Sequence, residues 1–169
     1  MNTAKELAKL KPNLVRIYPM LVVKNTALEE EYNQGTFEPL TLNQAVERCK
    51  EMIYEFNRKK VKAINIVKQN ELNKSKKTEI IAGAYHEEFA QLVADSIWYD
   101  SIVDKIKHYN VKVKLVKIEV NPKELPNILG HENENAKKFE EYYDVEIKAE
   151  GNPNIKPRKV SYDSFRGLQ

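Results

Sequence analysis

The apolar and polar positions near the start of the chain predict a strand without visible partners. Leu14–Lys24 is a run of strand-forming residues with almost no polar relief, interrupted at Pro19. A strand this apolar needs cover on both faces, which is typical of a parallel α/β sheet. It follows a single short helix-like segment, AKELAKL, so the rest of its sheet has to be found elsewhere.

Two capping boxes predict where the next helices begin. Thr26-Ala-Leu-Glu29 starts a short helix that Gly35 stops, and Thr41-Leu-Asn-Gln44 starts a helix that runs to about Arg58. Apolar residues recur in this second helix at three- and four-residue steps, which gives it one apolar stripe. The stripe consists of Leu42, Ala45, Val46, Cys49, Met52, Ile53 and Phe56.

A strand and a long helix complete the first half. Val61–Val67 predicts the strand, and a helix from about His86 to His108 has one apolar side. The pattern changes past Asn110, and we place the boundary between two domains, 1–109 and 110–169, at this point.

The second domain is predicted to contain two short helices between strands. Its segments are Val111–Val120, Pro122–Leu129, Ala136–Tyr143, Val145–Ala149 and Arg158–Tyr162. The fold class predicted for the whole chain is therefore α/β plus α+β: a strand–helix layer followed by a small βααβ(β) subdomain.

Composition narrows the class of protein only mildly. The 169 residues are 41% apolar and 31% charged, with a net charge of +3, so a nucleic-acid partner is permitted without being indicated. No apolar run approaches the roughly 20 residues that span a bilayer, and no signal-peptide pattern precedes Pro12. We therefore expect a cytoplasmic protein without a membrane partner.

Several kinds of chemistry lack the residues they need. The single cysteine, Cys49, lies on the apolar stripe and is interpreted as a buried core thiol. His86, His108 and His131 are not spaced as metal ligands, so no metal site is predicted. The five glycines are isolated, which excludes the glycine-rich turn that holds acetyl-CoA. No catalytic residue is assigned.

Two separated motifs resemble one protein family. VRIYPMLVVKNTALEEEYNQGTFEPLTLNQAVERCKEM is similar to R-I-Y-P-T-L-V-I-K-G-T-x-L followed by a short helix, a charged spacer and P-L-(S/T)-x-x-x-A-V. EIIAGAYHEEFAQLV resembles V-(V/I)-A-G-P-Y-H-P-x-F-x-x-L-V. Both belong to the end of the catalytic barrel in radical SAM proteins related to the elongator catalytic subunit, some of which are called oxygen-independent coproporphyrinogen oxidase-like. Met20 stands where the family has threonine.

The resemblance implies where the rest of the sheet lies. In such enzymes a C-x-x-x-C-x-x-C loop holds a 4Fe-4S cluster in the N-terminal part of the barrel, and S-adenosylmethionine is cleaved to a 5′-deoxyadenosyl radical. One cysteine cannot hold that cluster. The chain is thus expected to be a C-terminal fragment that binds neither cofactor, is inactive alone, and has the N-terminal radical SAM half as its partner. Uncovered apolar surface would also favour a homo-oligomer.

The resemblance also implies site residues. Those at the carboxyl ends of barrel strands reach the active-site mouth, where they contact S-adenosylmethionine or substrate. The residues that match are Arg16, Tyr18, Lys24, Thr26, Tyr85 and His86. Alternatively Arg16 is buried and bridges core elements, Lys24 is solvated, and Tyr85 and His86 cap a helix.

Residues 111–150 resemble a degenerate KH domain, which gives an alternative function: a free-standing RNA-binding module. A KH loop holds phosphates because two glycines let backbone amides approach them. Gly130 is present, but Asn133 replaces the second glycine, and Glu132 and Glu134 would repel phosphate. The candidate RNA-binding residues are Lys112, Lys114, Lys117, Gly130, Lys137 and Lys138. The competing interpretation of the alternating lysines is an edge strand protected from aggregation.

Overall fold

A computed structural model describes residues 2–66, 79–108, 113–156 and 160–167. The chain divides into two compact units, Met1–Val93 and Ala94–Gln169, which are described separately. Both mix helices with small sheets, which is consistent with the α+β class. No helix in these ranges is both long enough and apolar enough to cross a bilayer.

The first unit contains two two-stranded sheets and the helices between them. Its elements are α1 (Asn2–Lys9), β1 (Leu14–Ile17), β2 (Leu21–Val23), α2 (Ala27–Asn33), α3 (Leu42–Arg58), β3 (Lys62–Ile66) and β4 (Ile80–Gly83). Strand β1 pairs in parallel with β3, and β2 pairs antiparallel with β4. The predicted apolar run is thus divided around Pro19 into two strands of different sheets.

The predicted helix starts are confirmed by their capping contacts. Thr26 Oγ1 accepts a hydrogen bond from the Glu29 amide at 3.4 Å and begins α2. At α3, Thr41 Oγ1 accepts from the Gln44 amide at 3.3 Å while Gln44 Oε1 accepts from the Thr41 amide at 2.9 Å. These bonds satisfy amides that have no partner within the helix.

The buried side of α3 follows the predicted stripe. Ala45, Val46, Cys49 and Phe56 are all buried. Helix α1 packs against α3 and contributes Ala4 and Ala8 to the buried apolar residues of this unit. The small alanine side chains let the two helices approach closely.

The second unit has a three-stranded mixed sheet with β5 in the centre. Its elements are α4 (Phe89–His108) from Ala94 onward, β5 (Val113–Val120), a 3-10 turn (Pro122–Glu124), α5 (Leu125–Leu129), a 3-10 turn (His131–Asn133), α6 (Glu134–Tyr143), β6 (Glu146–Gly151) and β7 (Val160–Gly167). Strand β5 runs parallel to β6 and antiparallel to β7, in the order β6-β5-β7.

The core of the second unit explains where the chain divides. Ile102 and Val103 of α4 belong to the same buried cluster as Val116, Ile118 and Phe139. The Tyr99 and Phe139 rings stack with their centroids 4.7 Å apart. The division between units therefore falls inside α4, after Val93, whereas the sequence pattern places the domain boundary near Asn110.

A buried polar network fixes the turn between α5 and α6. The Asp95 carboxylate, in a residue that is only 5% exposed, accepts a hydrogen bond from the His131 amide at 2.7 Å. Asn135 Nδ2 donates to the carbonyls of Asp95, at 3.0 Å, and Asn127, at 3.2 Å. Gly130 lies beneath this network with φ 78° and ψ 165°, a conformation that is essentially restricted to glycine.

Replacing Gly130 with alanine should strongly destabilise the second unit. A Cβ atom there would meet the Asn135 side chain and amide at 2.9 Å, so overpacking adds to the backbone strain. We expect a loss of about 3 kcal/mol in the free energy of unfolding. Urea unfolding followed by the fluorescence of Trp98, the single tryptophan of the chain, measures this change, because Trp98 packs against the core of this unit.

Gly35→Ala is the matched control. Gly35 also has a positive φ, 72°, but nothing lies within 4 Å of a Cβ built there. Its replacement should cost only about 1 kcal/mol in the unfolding free energy of the first unit, which circular dichroism can follow. Equal losses for the two variants would contradict the packing argument.

Candidate functional site: an apolar groove beside strand β1

An apolar groove of about 420 Å³ lies in the first unit. Helix α1, strand β1 with the Tyr18–Met20 loop that follows it, Leu40 and one side of α3 all contribute to its lining. Most of the lining side chains are apolar, among them Met52 and Phe56 of α3. This volume is within the range of ligand-binding clefts.

The apolar lining is unusually exposed. Tyr18 and Met20 are 63% and 62% exposed, and Leu7 and Leu40 are each 43% exposed. Exposed apolar side chains that cluster around one groove are typical of an interaction surface, whereas single exposed ones are not.

Two arginines also line the groove. Arg48 Nη1 lies 3.4 Å from a carboxylate oxygen of Glu51, one turn along the same helix. Arg16 is exposed, and its guanidinium makes no ion pair or hydrogen bond with any residue that the structure describes. The alternative, in which Arg16 is buried and bridges core elements, is therefore wrong within the part of the chain that the structure describes. The reason is that β1 belongs to a sheet of only two described strands, so nothing covers Arg16.

Lys24 and Thr26, two other residues predicted for the active-site mouth, make contacts near the ends of β2 and β4. Lys24 Nζ lies 2.7 Å from the Glu79 carboxylate, and this hydrogen bond, with the attraction between the charges, raises the pKa of Lys24. The Lys24 amide also donates to the Glu79 carbonyl at 2.9 Å. The Thr26 hydroxyl caps α2 and donates to the Val23 carbonyl at 2.6 Å. Neither residue lines the groove.

Tyr85 and His86 lie just before α4. His86 Nδ1 accepts a hydrogen bond from the Glu88 amide at 3.1 Å, and its carbonyl accepts from the Phe89 amide at 3.0 Å. These contacts of His86 are those of a helix cap, the alternative role considered for this residue. Of the six predicted mouth residues, the structure thus places Arg16 and Tyr18 together in the groove and the other four outside its lining.

The lysines predicted to bind RNA do not form a uniform basic stripe. Lys114 contacts the carboxylate of Asp144, and Lys138 lies 3.3 Å from that of Glu134. Lys117 is exposed and pairs in register with Lys148 on β6. The neighbouring register pairs are Leu115 with Glu146 and Glu119 with Glu150, so acidic groups lie on both sides of the two lysines. Lys137 is exposed, and Lys112 lies outside the described residues.

Three amides of the Gly130 turn, those of Gly130, His131 and Asn133, already have partners within the protein. The Gly130 amide donates to the Pro126 carbonyl at 2.9 Å and the Asn133 amide to the Gly130 carbonyl at 3.0 Å. The His131 amide donates to Asp95. An amide that is hydrogen-bonded internally is not available to a phosphate oxygen.

The residues of this chain do not fit an iron–sulfur cluster. Its one cysteine, Cys49, is buried, and burial raises the pKa of the thiol to about 11. Clusters are held by several thiolates, and a thiol with such a pKa remains protonated. The described residues also contain no group of three or more His, Cys, Asp or Glu side chains suited to a metal ion.

Sequence reasoning did not assign several of the residues that form the groove. Leu7, Leu40, Arg48 and Met52 come from three separate segments, and the apolar stripe of α3 gave no sign that part of it lines a groove. Met20 carried a signal, because it replaces a threonine of the motif with a large apolar side chain at a loop position.

Comparison with known protein families decides the membership of the chain. The family model for the Radical SAM C-terminal domain matches residues 12–98, which is more than half of the sequence. The chain belongs to the radical SAM C-terminal domain family. This matched region contains Arg16, Tyr18, Met20 and Arg48 of the groove, and the family implies a 4Fe-4S cluster and S-adenosylmethionine for a complete enzyme.

One curated relative adds a length comparison. The protein named "Uncharacterized protein MJ0486" of Methanocaldococcus jannaschii is 48% identical over 46 residues, which is 27% of this radical SAM C-terminal domain chain. The matched part spans only 14% of the length of that relative. No solved structure matches.

The raised pKa of Cys49 predicts a slow thiol. At pH 8 the thiolate fraction falls about 100-fold when the pKa rises from 9.0 to about 11, so alkylation by iodoacetamide should slow at least that much relative to the unfolded chain. The rate is measured by mass spectrometry, with the same chain in guanidinium chloride as the control. Native and unfolded rates within tenfold of each other would contradict the burial of Cys49.

Proposed function

We propose that the chain is the C-terminal region of a radical SAM enzyme related to the elongator catalytic subunit. It completes the catalytic sheet and helps to position substrate, and it does no chemistry alone. The observation that carries this proposal is an apolar parallel strand, β1, which pairs with a single described strand beside an exposed apolar groove.

The pairing of β1 supports the idea of an incoming strand. Parallel sheets are normally covered on both faces, and a two-stranded sheet has little stability of its own. A strand with one partner also has backbone amides and carbonyls that are ready to pair with another strand. A strand from the preceding part of the enzyme would satisfy these groups and extend the β3-β1 sheet.

The position of Tyr18 supports a role near substrate. β1 ends at Ile17, and Tyr18 follows at its carboxyl end with Arg16 one residue inside the strand. In parallel barrels the carboxyl ends of the strands surround the active site. The cluster and S-adenosylmethionine would be held by residues outside this chain, so Tyr18 would act on the binding of substrate.

The observations give less support to the alternative of a KH-like RNA-binding module. The turn that would hold phosphate has three of its amides bonded internally and carries two glutamates, and Lys114 is paired with Asp144. We therefore expect filter-binding assays with single-stranded RNA to give no affinity that falls steadily with salt. A steep decline, with a slope that drops by about one for Lys117→Ala, would instead favour the RNA-binding module.

Association with the catalytic portion tests the main proposal. The probe is the radical SAM segment that precedes this domain in a family enzyme, produced as a separate polypeptide, and the measurement is calorimetry or co-elution. Met20→Glu should weaken association at least about tenfold, because docking would bury an unpaired carboxylate. Tyr142→Glu is the matched control, since Tyr142 is 65% exposed and Met20 62%.

Tyr142 belongs to the second unit, so its replacement should leave the affinity unchanged. Failure of the wild-type chain to bind, or equal weakening by both variants, would count against the proposed function.

A further inference from the structure

We infer that Arg16 is the residue through which the groove recognises its partner, and that the partner supplies a side-chain carboxylate from the radical SAM portion preceding the C-terminal domain. This inference rests on the proposed function. It adds the chemical identity of one contact, which the family membership does not specify.

The first observation is the setting of Arg16, which is an unpaired cation in an apolar groove. Lys5 and Lys11 of the first unit also make no described ion pair, but they lie outside the groove lining, and Arg48 of the lining is paired with Glu51. Arg16 lines an apolar groove without an ion pair or hydrogen bond to any described residue. Its guanidinium thus retains all its donors for a partner.

The second observation concerns the size of the occupant. Leu14, in the same strand, is 48% exposed but lies outside the groove lining, so the exposed apolar surface continues beyond the footprint of a small ligand. β1 also offers an edge for backbone pairing, as argued above. A polypeptide segment satisfies both features.

The third observation distinguishes between polypeptides. In a two-fold symmetric dimer the same patch of each copy faces the other, which would bring the unpaired Arg16 of one copy towards that of its partner. Like charges that are brought together in an apolar interface repel each other strongly. An apolar segment with a carboxylate is complementary to the groove, and the matched relative has most of its length outside the region of similarity.

The chemistry of docking then requires an anion. Covering the groove would remove water from the Arg16 guanidinium, and a desolvated guanidinium is tolerated only when an anion pairs with it. A carboxylate can accept two parallel hydrogen bonds from the guanidinium fork, which fixes register as well as affinity. Arg16 is therefore a specificity-determining contact of the interface.

Titration of the same radical SAM segment with Arg16 variants tests the inference. Arg16→Met should weaken association at least about 30-fold, and Arg16→Lys less, because lysine keeps the charge and loses the fork. Arg58→Met is the control, since the Arg58 side chain is 72% exposed and lies outside the groove; its affinity should equal that of the wild type. Charge reversal on both sides should also restore association: a segment in which the contacting carboxylate is changed to lysine should bind the Arg16→Glu variant.

A second measurement separates binding from folding. Because Arg16 has no bonding partner among the described residues, Arg16→Met should not lower the melting temperature of the free chain. A lowered melting temperature would overturn the inference, since Arg16 would then be a structural residue.

The remaining outcomes distinguish the inference from the proposed function. If the wild-type chain binds and Arg16→Met binds equally, the inference fails alone; if the wild-type chain does not bind, both fail. Self-association of the free chain that Arg16→Met abolishes would assign the groove to a second copy and overturn the inference. Calorimetry would overturn the inference if the free chain bound S-adenosylmethionine and Arg16→Met abolished this binding. Arg16 would then recognise the carboxylate of a small molecule and not that of a polypeptide.

Discussion

Parallel pairing of β1 with β3 is the constraint on which the first unit depends. Parallel strands gain their stability from burial on both faces, and the two-stranded β1–β3 sheet cannot provide it. Helix α3 covers part of the apolar surface and leaves the rest as the groove. The exposure of Met20 and the unsatisfied guanidinium of Arg16 follow from this incomplete cover. The exposed groove and the unpaired Arg16 are thus the features on which the proposed docking depends.

The second unit solves the same problem internally. β5 has a neighbour on each side, and its buried residues share one core with α4, α5 and α6. Its polar groups are also satisfied within the unit: Asp95 holds the amide of His131, and Asn135 connects two carbonyls. Lys114, one of the lysines predicted to bind RNA, is likewise paired within this unit, with Asp144. Both units mix helices and strands. They differ in how completely their central strands are paired and covered within the unit.

Local interactions were predictable from the sequence, and contacts between distant segments were not. The helix starts at Thr26 and Thr41 depend on residues three positions away, and the buried side of α3 depends on helical spacing, so both appear in the pattern. The ion pair of Lys24 depends on Glu79, 55 positions away, and the groove combines Leu7, Met20 and Met52. The alternative of a buried Arg16 followed from its place in an apolar run, but burial depends on neighbouring strands that the run itself does not reveal. The family motif identified the region of the groove because it includes Arg16 and Tyr18, but it did not identify the lining residues from α1 and α3.

The charged side chains of β6 carry a consequence for assembly. Glu146 and Lys148 are exposed on this edge strand, as is Glu150, so a strand approaching it would have to strip water from several ionised groups. β1 presents no comparable row along its four residues, where Arg16 is the lone ionisable side chain. Edge-to-edge pairing of two strands at β6 is therefore disfavoured by hydration, whereas a strand that pairs with β1 has only the one guanidinium of Arg16 to accommodate.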